Sequence, residues 1–118
     1  VSGIGLEWIV DAEGCPADLL RDVAALQSLF DRLIAELQLN PLGDAVWHQF
    51  PGEGRVTGFV LLTESHSTIH TWPEAGTAAI NLFRCRPRPA WPWDARLRAS
   101  LGAARVRVRL IERKSEAE

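Results

Sequence analysis

No stretch of this 118-residue chain stays apolar for the roughly 18 residues a membrane-crossing helix requires, so none is expected. Methionine is absent, and Val1-Ser2-Gly3 has neither the charged start nor the apolar stretch of a signal peptide. The expectation is a processed or trimmed chain in the cytoplasm. Cysteine is scarce. Cys15 and Cys85 are far apart, so a disulfide is not the default, and neither has the clustered partners of a zinc site. Repeats, low-complexity tracts and linkers are also missing, which leaves one small domain over residues 1–118. A domain of this size is modestly stable alone and gains from oligomerisation.

Negative charge is in small excess overall, with a formal net charge of −2, and this points to no polyanionic partner. Its distribution is uneven. Residues 1–64 hold 3 Arg against 10 Asp or Glu, a net of −7; residues 65–118 hold 10 Lys or Arg against 5 Asp or Glu, a net of +5. Two differently decorated solvated faces would explain this, as would halves that attract each other and stay together after a cut between them. Nucleic-acid binding by the Arg-rich half lacks a recognition motif.

Residues 6–12 read as a short strand. Cys15-Pro16 opens a helix, with proline tolerated in the first turn. Leu19, Leu20, Val23, Leu26, Phe30, Leu33, Ile34 and Leu37 give it one apolar stripe, and Asn40-Pro41-Leu42-Gly43 ends it. Residues 45–50 and 56–63 are strands about the turn Pro51-Gly52-Glu53-Gly54. Residues 64–76 are polar, with neither helical nor strand period. A strand at 77–85, a proline-broken segment from Arg86 to Pro92, a helix over 93–101 and an alternating, half-buried strand from Arg105 to Leu110 complete the chain. The order β-α-β-β-β-α-β implies an α+β two-layer sandwich: an antiparallel sheet with helices on one face. A second subunit is the simple cover for the other face.

The polar segment packs Glu64, Ser65, His66, His70, Trp72 and Glu74 between two apolar strands, and such loops commonly carry function. Ser65 with His66 or His70 suits a nucleophile and base, although no G-x-S-x-G elbow is present. His66 and His70 with Glu64 or Glu74 suit a metal, but the pattern is not H-E-x-x-H, and Pro73 and Gly76 oppose the helix it would need. A polar loop with locally satisfied histidines is the plain alternative.

The run Glu64-Ser65-His66-x-Thr68-Ile69-His70-Thr71-Trp72-Pro73-Glu74, continued by Phe83-x-Cys85, closely resembles the signature of bacterial and archaeal S-adenosylmethionine decarboxylase proenzymes. Gly5, Gly14-Cys15, His48-x-Phe50 and Val56-Thr57-Gly58 have counterparts there too. The resemblance implies self-cleavage between Glu64 and Ser65 into a β chain of 1–64 and an α chain of 65–118, with Ser65 becoming a pyruvoyl cofactor that forms a Schiff base with the substrate amine. No metal is implied. It also implies His70 as the processing base, Cys85 as the proton donor, Thr57 (a serine in most of the family) as a processing aid, Glu74 on the substrate ribose, and Trp72 and Phe50 near the adenine. Ordinary core or loop roles compete for each of these residues. The implied assembly is a homodimer of αβ units with residues of both protomers near the pocket, acting on a small molecule in polyamine synthesis, with no nucleic acid and no membrane.

The chain departs from that pattern in three places. Glu7 stands where the family has His, the turn Gly52-Glu53-Gly54-Arg55 is longer than usual, and Arg86-Pro87-Arg88-Pro89 follows Cys85 in place of Gly and acidic residues. None of these touches Glu64, Ser65, His70 or Cys85. An added Glu7 would suit a cationic side chain, so decarboxylation of L-arginine or L-ornithine is the alternative activity. A non-cleaving binding or regulatory relative is a further one.

Overall fold

The computed structural model describes residues 3–85 and 89–116, and the strand and helix patterns meet there in one α+β layer pair. The elements run β1 (Gly3–Glu13), α1 (Ala17–Leu20), α2 (Val23–Glu36), β2 (Val46–Gln49), β3 (Val56–Leu62), β4 (Ser65–Trp72), a 3-10 turn (Pro73–Ala75), β5 (Thr77–Arg84), α3 (Trp93–Leu101) and β6 (Arg105–Lys114). The sheet order is β2-β3-β4-β5-β1-β6, and every neighbouring pair is antiparallel.

Leu26, Phe30 and Leu33 of α2 and Leu97 and Leu101 of α3 form one cluster with Val10, Val60, Ile69, Ile80 and Leu82 on a single sheet face. Burying each such side chain contributes roughly 1.5–3 kcal/mol. The approach is close at Gly58, where a Cβ would come within 2.3 Å of the Trp47 ring on the neighbouring strand. Among the described residues no helix lies over the opposite face, where Val46, Phe59, Leu61 and Ile111 remain exposed.

Three expectations need correction. Residues 65–72 are a strand, not part of an aperiodic loop, which makes the order β-α-α-β-β-β-β-α-β. The segment hides its alternation because its inward side chains include hydroxyls. Ser67 Oγ donates to the Asn81 carbonyl at 2.9 Å; Thr71 Oγ1 donates to the Leu20 carbonyl at 2.7 Å and accepts from Val56 N–H at 3.0 Å. Satisfied in this way, both hydroxyls are buried at little cost. The single helix expected between Cys15-Pro16 and Asn40-Pro41-Leu42-Gly43 is two, because Asp22 caps α2 by accepting from Ala25 N–H and breaks the run. Finally, β6 extends to Lys114 and is not half-buried: as an edge strand it leaves Val108 and Leu110 exposed. Of the segment after Cys85, Arg86-Pro87-Arg88 lies outside the described residues.

Candidate active site

The turn between β3 and β4 is only Thr63-Glu64, because Leu62 and Ser65 are the last paired residues. Asn40 fixes this turn by accepting Thr63 N–H at 3.0 Å. Ser65 opens β4, half-buried and directly opposite Arg84 on β5. Cys85, the residue after β5, sets its Sγ 2.7 Å from the Glu64 carbonyl oxygen and donates to it. A cavity of about 130 Å³ opens here, lined by Leu39, Asn40, Leu62, Glu64, Ser65, Arg84 and Cys85 among others. Arg84 is 2% exposed, with its guanidinium carbon 5.6 Å from the centroid of Trp8. The arrangement suits acyl transfer: a hydroxyl, the carbonyl that precedes it and a donor to that carbonyl's oxygen are neighbours.

The remaining candidates form a second group. On the open face, Thr57 of β3 and His70 of β4 are cross-strand partners, with Oγ1 and Nδ1 3.2 Å apart. Trp72 follows on the same face, 6.3 Å from the His70 ring between centroids. Phe50, 46% exposed, stands edge-on to His48 at 4.4 Å. Phe50, Arg55, Thr57, His70 and Trp72 line a pocket of about 210 Å³. Glu74, in the 3-10 turn, is ion-paired with Arg55, and that hydrogen-bonded guanidinium holds its carboxyl below the usual carboxylate range.

These two groups do not meet within one chain. Ser65 and His70 are five positions apart on the same strand, or about 16 Å at the usual strand rise. The motif residues therefore fall in two groups at opposite ends of β4.

Glu7 joins neither group directly. Its Oε2 accepts from Asn81 at 2.8 Å and its Oε1 from Arg113 at 3.0 Å. The Asn81 bond, then Arg113 and nearby His66, outweigh burial and lower its pKa. Beside it, Phe83 stacks on His66 at 6.0 Å and His66 on Phe59 at 6.1 Å. Gly5 permits this aromatic row, since a Cβ there would come within 2.5 Å of the Phe83 ring. Among the described residues, no group of three or more His, Cys, Asp or Glu could hold a metal ion, and no helix is long and apolar enough to cross a membrane.

Sequence reasoning missed Arg84 and the role of Arg55. For Arg84 a signal existed: it occupies an inward slot in the alternation Ala78, Ile80, Leu82, where an unmarked strand would carry another apolar residue. For Arg55 there was none, because only folding brings the turn against Glu74.

A family model described as S-adenosylmethionine decarboxylase matches residues 6–114. The chain belongs to the S-adenosylmethionine decarboxylase family. Among its relatives is the S-adenosylmethionine decarboxylase proenzyme of Carboxydothermus hydrogenoformans, 36% identical over 95 residues, or 80% of this chain and 72% of that one. The proenzyme of the same name from Moorella thermoacetica is 34% identical over 112 residues, covering 93% of this chain and 87% of that one. The crystal structure of the adenosylmethionine decarboxylase from Aquifex aeolicus superposes with a TM-score of 0.80 at 27% identity, covering 100% of this chain and 98% of that one. The α+β fold with one antiparallel sheet is thus a fold this family uses.

Proposed function

We propose that this chain is a self-processing decarboxylase of S-adenosylmethionine, cleaving itself between Glu64 and Ser65. The observation that carries the reading is the 2.7 Å contact of Cys85 Sγ with the Glu64 carbonyl oxygen. That carbonyl belongs to the peptide bond to be cut. Attack of Ser65 Oγ on the Glu64 carbonyl carbon puts negative charge on this oxygen, and the thiol stabilises it. Breaking the C–N bond then moves Glu64 to the serine oxygen as an ester. Removal of the Ser65 Cα proton by a base expels the Glu64 carboxylate, and water replaces the nitrogen, released as ammonia, to leave a pyruvoyl group. The residues at Ser65 fit that group: Asn40, Thr63 and the Cys85 thiol bring polar groups to the cavity beside it. When formed, the group supplies the electron sink that decarboxylation of an amino acid needs. Cys85 is then placed to return a proton to the product carbon.

His70 is the proposed base, and the strand separation from Ser65 requires it to come from a second copy. A twofold axis over the open sheet face would set the Ser65–Cys85 end of one protomer against the Thr57–His70 end of its partner. The exposed Val46, Phe59 and Leu61 on that face would be covered in the same step. Trp72 and Phe50 would then flank the adenine, and Glu74 would accept from the ribose hydroxyls.

Cleavage would not release the pieces. Strand β1 of the N-terminal piece lies between β5 and β6 of the C-terminal piece. Ion pairs also cross the cut, including Glu7 with Arg113, Asp11 with Arg109 and Glu36 with Arg96. Both oxygens of Glu7 are engaged, so nothing in its setting favours a cationic amino-acid substrate over S-adenosylmethionine.

Intact mass spectrometry of freshly expressed protein, followed by CO2 release from S-adenosylmethionine, arginine and ornithine in parallel, tests the reading. Two fragments meeting at residues 64 and 65 and release from S-adenosylmethionine alone are expected. A single inert chain would sink the enzyme reading, and release from arginine or ornithine alone would sink the substrate.

A further inference from the structure

Arg55 closes the turn between β2 and β3. Its carbonyl accepts Phe50 N–H at 2.8 Å, and Gly52 and Gly54 supply the left-handed turns with φ of 82° and 78°. The turn is tied to the helix layer. Gln49 Nε2 donates to the Arg21 carbonyl at 2.7 Å and the Gly54 carbonyl at 3.2 Å, and Arg21 Nε donates to the Glu53 carbonyl at 3.3 Å. From this anchored base the Arg55 side chain reaches Glu74, with Nε donating to Oε2 at 2.7 Å and Nη2 donating to the same oxygen.

The choice of oxygen matters. Two donors on Oε2 fix the carboxylate's direction, and neither uses Oε1. A carboxylate oxygen accepts two hydrogen bonds, the number that a vicinal diol can donate. Arg55 is also part of the lining of the pocket formed with Phe50, Thr57, His70 and Trp72. With Arg55 and Glu74 side chains 50% and 29% exposed, the pair adds little to stability. Its consequence is orientation.

We propose that Arg55 is a positioning residue for substrate recognition, clamping Glu74 through Oε2 so that Oε1 is kept for the hydroxyls of the substrate's ribose. The inference rests on Glu74 being the ribose-binding carboxylate. A freed Glu74 side chain would sample several rotamers, and substrate would bind more weakly while the chemistry at the far half-site proceeded as before.

The test compares wild type, Arg55→Gln, Arg55→Lys and Glu74→Gln in CO2 release from S-adenosylmethionine and from its 2′-deoxyribose analogue, after mass spectrometry has established full self-cleavage of each. Arg55→Gln is expected to raise KM about tenfold with kcat within about twofold, the pattern of lost binding without lost chemistry, and to erase most of the preference for ribose over deoxyribose. Arg55→Lys, with a point donor in place of the fork, should lie between the two. Wild-type KM and preference in Arg55→Gln, alongside a raised KM in Glu74→Gln, would overturn the role of Arg55 alone. An unchanged KM in Glu74→Gln would remove the ribose role of Glu74 and this inference with it. If Arg55→Gln does not fold, Arg55→Lys decides: wild-type KM and preference there overturn the proposal.

Discussion

Thr57 Oγ1 and His70 Nδ1 are 3.2 Å apart across the β3–β4 ladder, at the end of β4 remote from Ser65. As the proposed base, His70 stands too far along the strand to reach the Ser65 Cα proton in its own chain. Mixed assemblies test the consequence. His70→Ala alone should remain uncut. Coexpressed with Ser65→Ala, which cannot be cut but keeps His70, the His70→Ala chain should yield fragments on a denaturing gel. If coexpression restores no cleavage, the shared site is wrong; if His70→Ala cuts normally alone, the base is misassigned.

Cys85 donates to the Glu64 carbonyl oxygen, on which charge would develop in the proposed cleavage. Cys85→Ala should slow self-cleavage by about tenfold to a hundredfold, the scale for loss of one oxyanion donor weakened by the modest strength of a thiol. Cys85→Ser, which keeps a donor, should cut faster than the alanine variant. A time course of fragment appearance measures both, and equal rates for alanine and wild type would dismiss the thiol's role.

Thr71 joins the layers from inside the sheet, 1% exposed and bonded to both the Leu20 carbonyl and Val56 N–H. Thr71→Val keeps the shape but strands two buried backbone groups. A loss of about 1–3 kcal/mol in urea unfolding is expected. A change indistinguishable from zero would mean that water or a backbone shift replaces the hydroxyl.

Glu36 accepts from Arg96 and from Trp91 Nε1 at 2.7 Å, which holds its pKa down at about 2. A lowered folded-state pKa contributes stability above the unfolded value, and that stability is lost as pH falls through the folded one. The melting-temperature gap between wild type and Glu36→Gln should therefore be fully open above about pH 4.5 and close towards pH 2. A gap independent of pH would show that the charge on Glu36 is not the source.

The two-layer α+β character, the helical face of α2 and the strands β3 and β5 were all visible as period, because a buried face must repeat with its backbone. The break at Arg21-Asp22 was not, since the apolar stripe runs straight through it. Strand β4 escaped for a related reason. Its inward Ser67 and Thr71 look polar until their backbone partners on other elements are known, and its outward His66, Thr68, His70 and Trp72 occupy a face that no helix among the described residues covers.

The residues around Ser65 carry the family and its chemistry in linear order, because a hydroxyl and the carbonyl before it are joined covalently and need no fold to be neighbours. Where Cys85, His70, Arg55 and Glu74 stand relative to that bond is a matter of register and turn geometry. Pairing across β4 and β5 brings Cys85 to the Glu64 carbonyl. Strand rise carries His70 away from it, and an anchored hairpin turn delivers Arg55 to Glu74. Such distances depend on contacts between segments far apart in the chain, which local propensity does not encode.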